Sequence, residues 1–213
     1  MGIVHGLTQN EGSFWLNVGH LEVPEKGKCV PIPYLIWNKS EFYFLQEVVW
    51  TYGAGVNAKF RLSPRNEKWL LYLKNSDKYT FNLDPIRDPN VKYPNQMKNG
   101  ILKNNPLGKN PSDVWDIPKV TSGGSRSSKE RTAHPAQFPL KVIERIIKAS
   151  SNNQDIVMDP FLGSGTTAIA SVALGRVCLG FEINESYCEM AIDRFEKFLD
   201  YRENKLNQTE LLS

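Results

Sequence analysis

Three cysteines in 213 residues, Cys29, Cys178 and Cys188, are too few and too irregularly spaced for a metal-binding cluster, and their odd number leaves no closed disulfide set. They read as reduced thiols, which fits a cytoplasmic protein. No apolar run approaches the roughly 20 residues of a membrane span, and the N-terminus lacks the basic-then-apolar pattern of an export signal. The expected setting is the cytoplasm, with no membrane partner and no bound metal. A net charge of +3 is too small to imply a polyanionic partner by itself. Its distribution says more. From residue 87 to 131 nine Lys or Arg stand against four acids, a balance suited to phosphate contacts and equally to a solvated loop.

Residues 155 to 167, Asp-Ile-Val-Met-Asp-Pro-Phe-Leu-Gly-Ser-Gly-Thr-Thr, organise the rest. Ile156 to Met158 suit a short buried strand, Gly163 and Gly165 allow a tight turn, and Thr166 or Thr167 can cap a helix. That helix should run through Leu174 and stop at Gly175. A second apolar run, Val177 to Phe181, then ends in Glu182. Strand, helix and strand make a βαβ unit whose ligand crevice lies at the carboxyl ends of the strands, where Asp159, the glycine turn and Glu182 all fall.

Two absences sharpen the chemistry. No Lys follows the glycine turn, so it is not a triphosphate-cradling loop, and no third glycine stands where a dinucleotide fingerprint needs one. Asp159 would repel a pyrophosphate and welcome an ammonium, while Glu182 can accept bonds from ribose hydroxyls. S-adenosyl-L-methionine, with an adenosine end and a zwitterionic amino-acid end, suits these groups better than NAD or ATP.

Asp159 to Thr167, preceded by His134-Pro-Ala-Gln-Phe-Pro139 and followed by Gly180-Phe-Glu-Ile183 with Tyr187 and Arg194, resembles the amino-methylating DNA methyltransferases. These methylate adenine N6 or cytosine N4, here in the permuted order with the cofactor motifs C-terminal. The resemblance implies an α/β fold, a Rossmann-like methyltransferase sheet that is incomplete in this chain, with an irregular DNA-recognition insertion. It implies S-adenosyl-L-methionine as cofactor, held by Asp159, Phe161, Gly163, Ser164, Gly165, Thr166, Thr167 and Glu182, with His134 and Phe138 packing nearby. It also implies double-stranded DNA as partner and a place in a restriction-modification or related system.

Along the chain, residues 12–18 read as a strand, Pro24 to Pro33 as a connection, Tyr34 to Trp37 as a helix, and Phe44 to Trp50 and Lys68 to Lys74 as antiparallel strands. Between the last two lies a basic, polar stretch with Lys59, Arg61 and Arg65. Six prolines between residues 75 and 133 forbid long regular elements, and the aromatics there argue against full disorder. In the resemblance this is the target-recognition segment. Arg126, Lys129 and Arg131, set among Gly and Ser, are the candidate DNA-backbone contacts. Pro139 should open a helix with Leu140, Ile143, Ile146 and Ile147 on one face. A last helix, about 185–199 with Asn184 as N-cap, should bury Tyr187, Met190, Ala191, Phe195 and Phe198, before a polar tail that frays. The regions are 1–74, the second half of the catalytic sheet region; 75–133, recognition; 134–202, cofactor binding; and 203–213, tail.

Methylating a base amine requires the base to leave the duplex stack. In the family the flipped base is held by Asp or Ser followed by Pro-Pro and an aromatic. This chain has no such string; Asp84-Pro85-Ile86 and Asp88-Pro89-Asn90 lack the second proline and the aromatic. No catalytic side chain is therefore assigned. The expectation is a truncated, split or shortened form of such an enzyme, with little activity alone and a separate polypeptide supplying the motif. The alternative is a non-catalytic cofactor- and DNA-binding subunit. The choice of adenine or cytosine stays open, with adenine N6 favoured.

Overall fold

The computed structural model describes every residue except 54, 56, 122–127 and 211–213, and the side chains of 206, 207, 209 and 210. The chain forms two compact units, one of residues 1–117 with 148–151, the other of residues 118–147 with 152–213.

The first unit is built on a four-stranded sheet. Its strands are β1 (Ser13–Val18), β4 (Tyr43–Thr51), β5 (Asn66–Leu73) and β8 (Val114–Asp116), in the order β1-β5-β4-β8. β5 pairs antiparallel with β1 and with β4, while β8 runs parallel to β4. The unbroken apolar run Trp69-Leu-Leu-Tyr-Leu73 explains the central place of β5. All five residues are buried, so the strand needs cover on both faces rather than an alternating pattern. On one face Leu70 and Tyr72 pack with Val18 and Phe42, joined by Val4 of helix α1 (Gly2–Leu7) and Ile36 of helix α2 (Pro33–Ile36). Full burial of an apolar side chain such as Leu70 contributes about 1.5–3 kcal/mol.

Two expectations need correction here. The stretch from Pro24 to Pro33 is more than a connection, because it contains β3 (Gly27–Pro31), which pairs antiparallel with β2 (His20–Val23) just before it. Pro24 falls in the turn and Pro31 on the last strand residue, so neither removes a donor from the interior of the ladder. The Pro-rich segment after Asn75 is also less irregular at its end. Trp115 and Ile117 are buried, and the Trp50 indole N–H donates to the Ile117 carbonyl at 2.7 Å. Earlier in that segment a 3-10 turn at Asp84–Ile86 and a ribbon of β6 (Met97–Lys98) with β7 (Ile101–Leu102) are the regular pieces. Arg87 ties the 3-10 turn to residue 110, bonding Asp84 at 2.6 Å and Asn110 at 2.8 Å.

The second unit contains helix α3 (Leu140–Ser150), whose end falls with the first unit, then β9 (Ile156–Asp159), helix α4 (Thr166–Ala173), β10 (Val177–Gly180) and helix α5 (Glu185–Glu210). β9 and β10 are parallel, as a βαβ unit requires. α4 ends on Leu174 and Gly175, whose φ is 76°. The N–H of Arg176 reaches Ser171 O at 2.8 Å and that of Gly175 reaches Val172 O at 3.2 Å, the paired bonds of a Schellman stop. α5 starts where expected, with Asn184 Oδ1 accepting the Tyr187 N–H at 3.3 Å. It does not fray near residue 200 but continues to Glu210. Lys197 and Asp193 pair at 2.7 Å one turn apart, and a polar helix can be prolonged by such surface pairs. Of its expected stripe only Ala191 is fully buried; Tyr187, Met190, Phe195 and Phe198 are half-buried. Among the described residues no helix is long and apolar enough to cross a membrane.

Candidate functional site

The tips of β9 and β10 coincide, because Asp159 pairs with Gly180 in register. The Phe181 N–H continues the ladder to Asp159 O at 2.9 Å, and Phe181 O then accepts the Leu162 N–H at 2.8 Å. The glycine turn is thereby stitched to the chain leaving β10. Glu182 lies one residue further and curls back over it. Its Oε2 accepts the Gly163 N–H at 2.9 Å, and its Oε1 accepts the N–H groups of Ile183 and Asn184, each at 2.9 Å. These donors, that of Asn184 foremost and then Gly163, hold the carboxyl below the usual carboxylate range.

Asp159 grips the other side of the turn. Its Oδ1 accepts the Phe161 N–H at 3.0 Å and its Oδ2 accepts the Thr167 hydroxyl at 2.6 Å. Two carboxylates thus flank one glycine turn. Gly163 and Gly165 have φ of 53° and 76°, the left-handed region that costs other residues energy. A Cβ on Gly163 would also sit 2.9 Å from His134 Nε2, and one on Gly165 3.1 Å from Ala191 Cβ. Gly165, not either threonine, occupies the N-cap of α4. That is a correction with a simple cause: its left-handed conformation turns the chain, so Thr166 and Thr167 already lie inside the helix.

The hydroxyls expected to face a ligand divide. Ser164 and Thr166 are buried. Arg194, from α5, donates to Ser164 O at 2.9 Å and Thr166 Oγ1 at 2.8 Å, and Thr166 donates to Phe138 O at 3.3 Å. The Thr166 hydroxyl and the Ser164 carbonyl are thus committed inward to Arg194. Burial lowers the Arg194 pKa, opposed by the charge of Glu130. Thr167 and Asp159 are half-buried, while Phe161 is 86% exposed.

Residues 130–138 form a second wall. Gln137 Oε1 accepts from the N–H and hydroxyl of Thr132, and Gln137 Nε2 donates to Glu130 O at 2.6 Å. Glu130 also accepts the Leu140 N–H at the start of α3, a helix-end position that favours a negative charge. His134 meets Tyr187 edge to face, with ring centroids 4.4 Å apart. Burial lowers its pKa below 6.5, with Glu182 acting in the opposite sense. Phe138 is half-buried. Burial, with the Asp159 charge, pushes the Cys178 thiol up to about 11, so it stays protonated at neutral pH.

The second unit therefore brings together Asp159, Phe161, Gly163 to Thr167, Glu182, His134 and Phe138 around one turn. Lys129 lies exposed just before that wall and Arg131 lies exposed within it, the Arg131 N–H bonding Ser128 O, and Arg126 falls outside the described residues. Sequence reasoning missed the anchoring roles of Arg194 and Glu130. Arg194 stands 30 positions from Ser164, a separation with no periodic signature.

A βαβ unit with an acid at each strand tip and a glycine turn between them defines a nucleoside-binding class of α/β protein. The family model described as DNA methylase, covering N6 and N4 enzymes, matches residues 1–193, and the chain belongs to that family. It is 61% identical over 196 residues to the type II methyltransferase M.ScaI of Streptomyces caespitosus, covering 92% of this chain and 64% of the relative. Its fold is similar to the cytosine-N4-specific PvuII DNA methyltransferase, with a TM-score of 0.68 and 19% identity over 96% of this chain and 73% of that one. It is also similar to the M1.HpyAVI–SAM complex, with a TM-score of 0.59 and 24% identity over 89% and 76% of the two chains. The α/β, Rossmann-like methyltransferase fold expected from the sequence is borne out. The chain spans about two thirds of the length of M.ScaI.

Proposed function

We infer that this chain is the cofactor-binding and DNA-contacting part of a site-specific methyltransferase. The full enzyme transfers the methyl group of S-adenosyl-L-methionine to an exocyclic base amine within a restriction-modification system. The observation that carries the reading is the pair of carboxylates, Asp159 and Glu182, gripping opposite sides of the Gly163–Gly165 turn. The family match and the SAM complex of M1.HpyAVI support it.

In this reading Asp159 faces the methionine ammonium, the turn backbone meets the methionine carboxylate, and Glu182 meets the ribose. A carboxylate offers about four acceptor positions, and Glu182 already fills three with backbone N–H groups. Taking both ribose hydroxyls therefore requires it to release one, and Gly163 is the partner contributed by the turn. Phe161, His134 and Phe138 supply apolar surface, and Arg126, Lys129 and Arg131 contact the DNA backbone. The sulfonium supplies the methyl group, and the reaction asks the protein chiefly for alignment of the amine nitrogen with it.

Supporting a separate or additional segment that carries the Asp/Ser-Pro-Pro-aromatic motif, β9 and β10 form a two-stranded sheet with Ile156, Val177 and Leu179 exposed. An apolar pair of this kind calls for a further strand. The target is adenine N6 on the look of the recognition segment; the likeness to the cytosine-N4-specific PvuII enzyme favours cytosine N4 as the second reading. Calorimetry should show binding of S-adenosyl-L-methionine and none of NAD. Methyl transfer to DNA should be negligible for the 213-residue chain and should appear with a polypeptide bearing the motif. Mass spectrometry of the product then identifies the base, and preference for NAD would overturn the reading.

A further inference from the structure

The loop joining β4 to β5 is unusual in what it shows to solvent. Phe60 is 91% exposed and Leu62 is 94% exposed. An isolated exposed apolar residue needs no explanation, but two on one short tip do. The tip is closed and braced. The Ala58 N–H donates to Ser63 Oγ at 3.0 Å, bracketing Lys59, Phe60, Arg61 and Leu62. Behind it, the Arg65 guanidinium reaches Asn57 Oδ1 at 2.7 Å and Pro64 O at 3.0 Å, and the Tyr52 N–H joins the neck at Arg65 O, also at 3.0 Å.

Charge selects the occupant. Residues 51–66 hold Lys59, Arg61 and Arg65 and not one acid. Lys59 Nζ lies 5.5 Å from the centre of the Phe60 ring, so cation and ring are presented together. Alternating cations and large apolar side chains on a braced tip match duplex DNA, where cations take phosphates and an apolar wedge enters a base step. We propose that the β4–β5 loop is a DNA wedge: Phe60 and Leu62 insert between base pairs while Lys59 and Arg61 hold the flanking phosphates. The inference rests on the DNA-modifying reading, yet involves neither Asp159 nor Glu182. Opening a base step lowers the cost of extracting a neighbouring base, which amine methylation requires.

The test uses the full chain and a mixed-sequence duplex carrying 2-aminopurine, read by anisotropy and by fluorescence of the probe base. Binding should raise the probe fluorescence. The double variant F60A/L62A should weaken binding about tenfold or more, abolish the fluorescence rise and keep the salt dependence. K59Q/R61Q should instead reduce the slope of log affinity against log salt by about 1.8, at roughly 0.9 per phosphate lost. All four side chains are exposed, so circular dichroism should be unchanged in both variants. Unchanged affinity and fluorescence in F60A/L62A would overturn the proposal, as would failure of the parent chain to bind duplex. So would transfer of the Phe60 and Leu62 dependence to anionic phosphatidylserine vesicles, or to self-association in sedimentation. Calorimetry with S-adenosyl-L-methionine on F60A/L62A separates the two readings. Retained cofactor binding with no DNA phenotype sinks the wedge alone, and absent cofactor binding by the parent sinks the function assigned to the turn.

Discussion

The Thr167 hydroxyl donates to Asp159 Oδ2 across 2.6 Å, tying the first turn of α4 to the last residue of β9. Asp159 is thereby oriented by a donor that leaves its charge intact. Thr167→Val keeps the shape of the side chain and deletes the donor. A hydrogen bond to a charged group contributes about 1.5–3 kcal/mol, so urea unfolding should register a loss toward the lower end for this half-buried pair. Affinity for S-adenosyl-L-methionine should fall several-fold, and Thr167→Ser should restore most of it. Equal affinities for Val and Thr would show that Asp159 needs no such orientation.

Arg194 is the internal clamp of the turn, with one nitrogen shared between Ser164 O and Thr166 Oγ1. Arg194→Met preserves the aliphatic packing and strands both acceptors. We expect a loss of about 2–4 kcal/mol in equilibrium unfolding, since buried acceptors are left without a donor. Arg194→Lys should recover only part, because an ammonium is more strongly hydrated than a guanidinium and costs more to bury at this site.

Glu182 both closes the turn and stands ready for a ligand. Glu182→Ala should therefore lower cofactor affinity on the order of ten- to a hundredfold in calorimetry. Glu182→Gln keeps an acceptor for the Gly163 N–H and should lose less. Gly163→Ala forces a φ of 53° on a residue with a side chain and drives its Cβ against His134; it should weaken cofactor binding while leaving DNA affinity unaltered. Unchanged cofactor affinity in Glu182→Ala would remove the ribose assignment.

Acid should destabilise the chain in two separate windows. The native pKa of His134 lies below 6.5, so its contribution is complete above that value. As pH falls past 6.5 the unfolded chain takes up a proton that the folded one refuses, and stability declines until the native pKa is reached. Glu182 behaves as a depressed carboxylate: its contribution is present above 4.5 and is lost as pH falls from there through its native pKa. Unfolding measured between pH 7.5 and 5 should flatten in His134→Gln over the upper window alone, a range set by about 6.5 for ordinary histidine.

Much of the site is legible in the sequence. Ile156 to Met158 and Val177 to Leu179 have the composition of short parallel strands, and Gly163 and Gly165 punctuate the turn between strand and helix. These are local signals, set by backbone freedom and apolar runs over a few residues. The β2–β3 ribbon was hidden because Pro24 and Pro31 resemble breaks until pairing shows that both sit at its ends. β8 was hidden for a related reason: three residues, Val114 to Asp116, become a strand by pairing with β4, far earlier in the chain.

Sequence by itself determined the βαβ order, the two acids at its strand tips, the glycine turn and the family, because each depends on residue type at short spacing. Tertiary structure alone decided how those groups are used. It turned Ser164 and Thr166 inward to Arg194, bent Glu182 back onto the Gly163 N–H and raised Phe60 and Leu62 on a braced tip. Such outcomes arise from satisfying backbone and charged groups across long separations, and no local propensity encodes them.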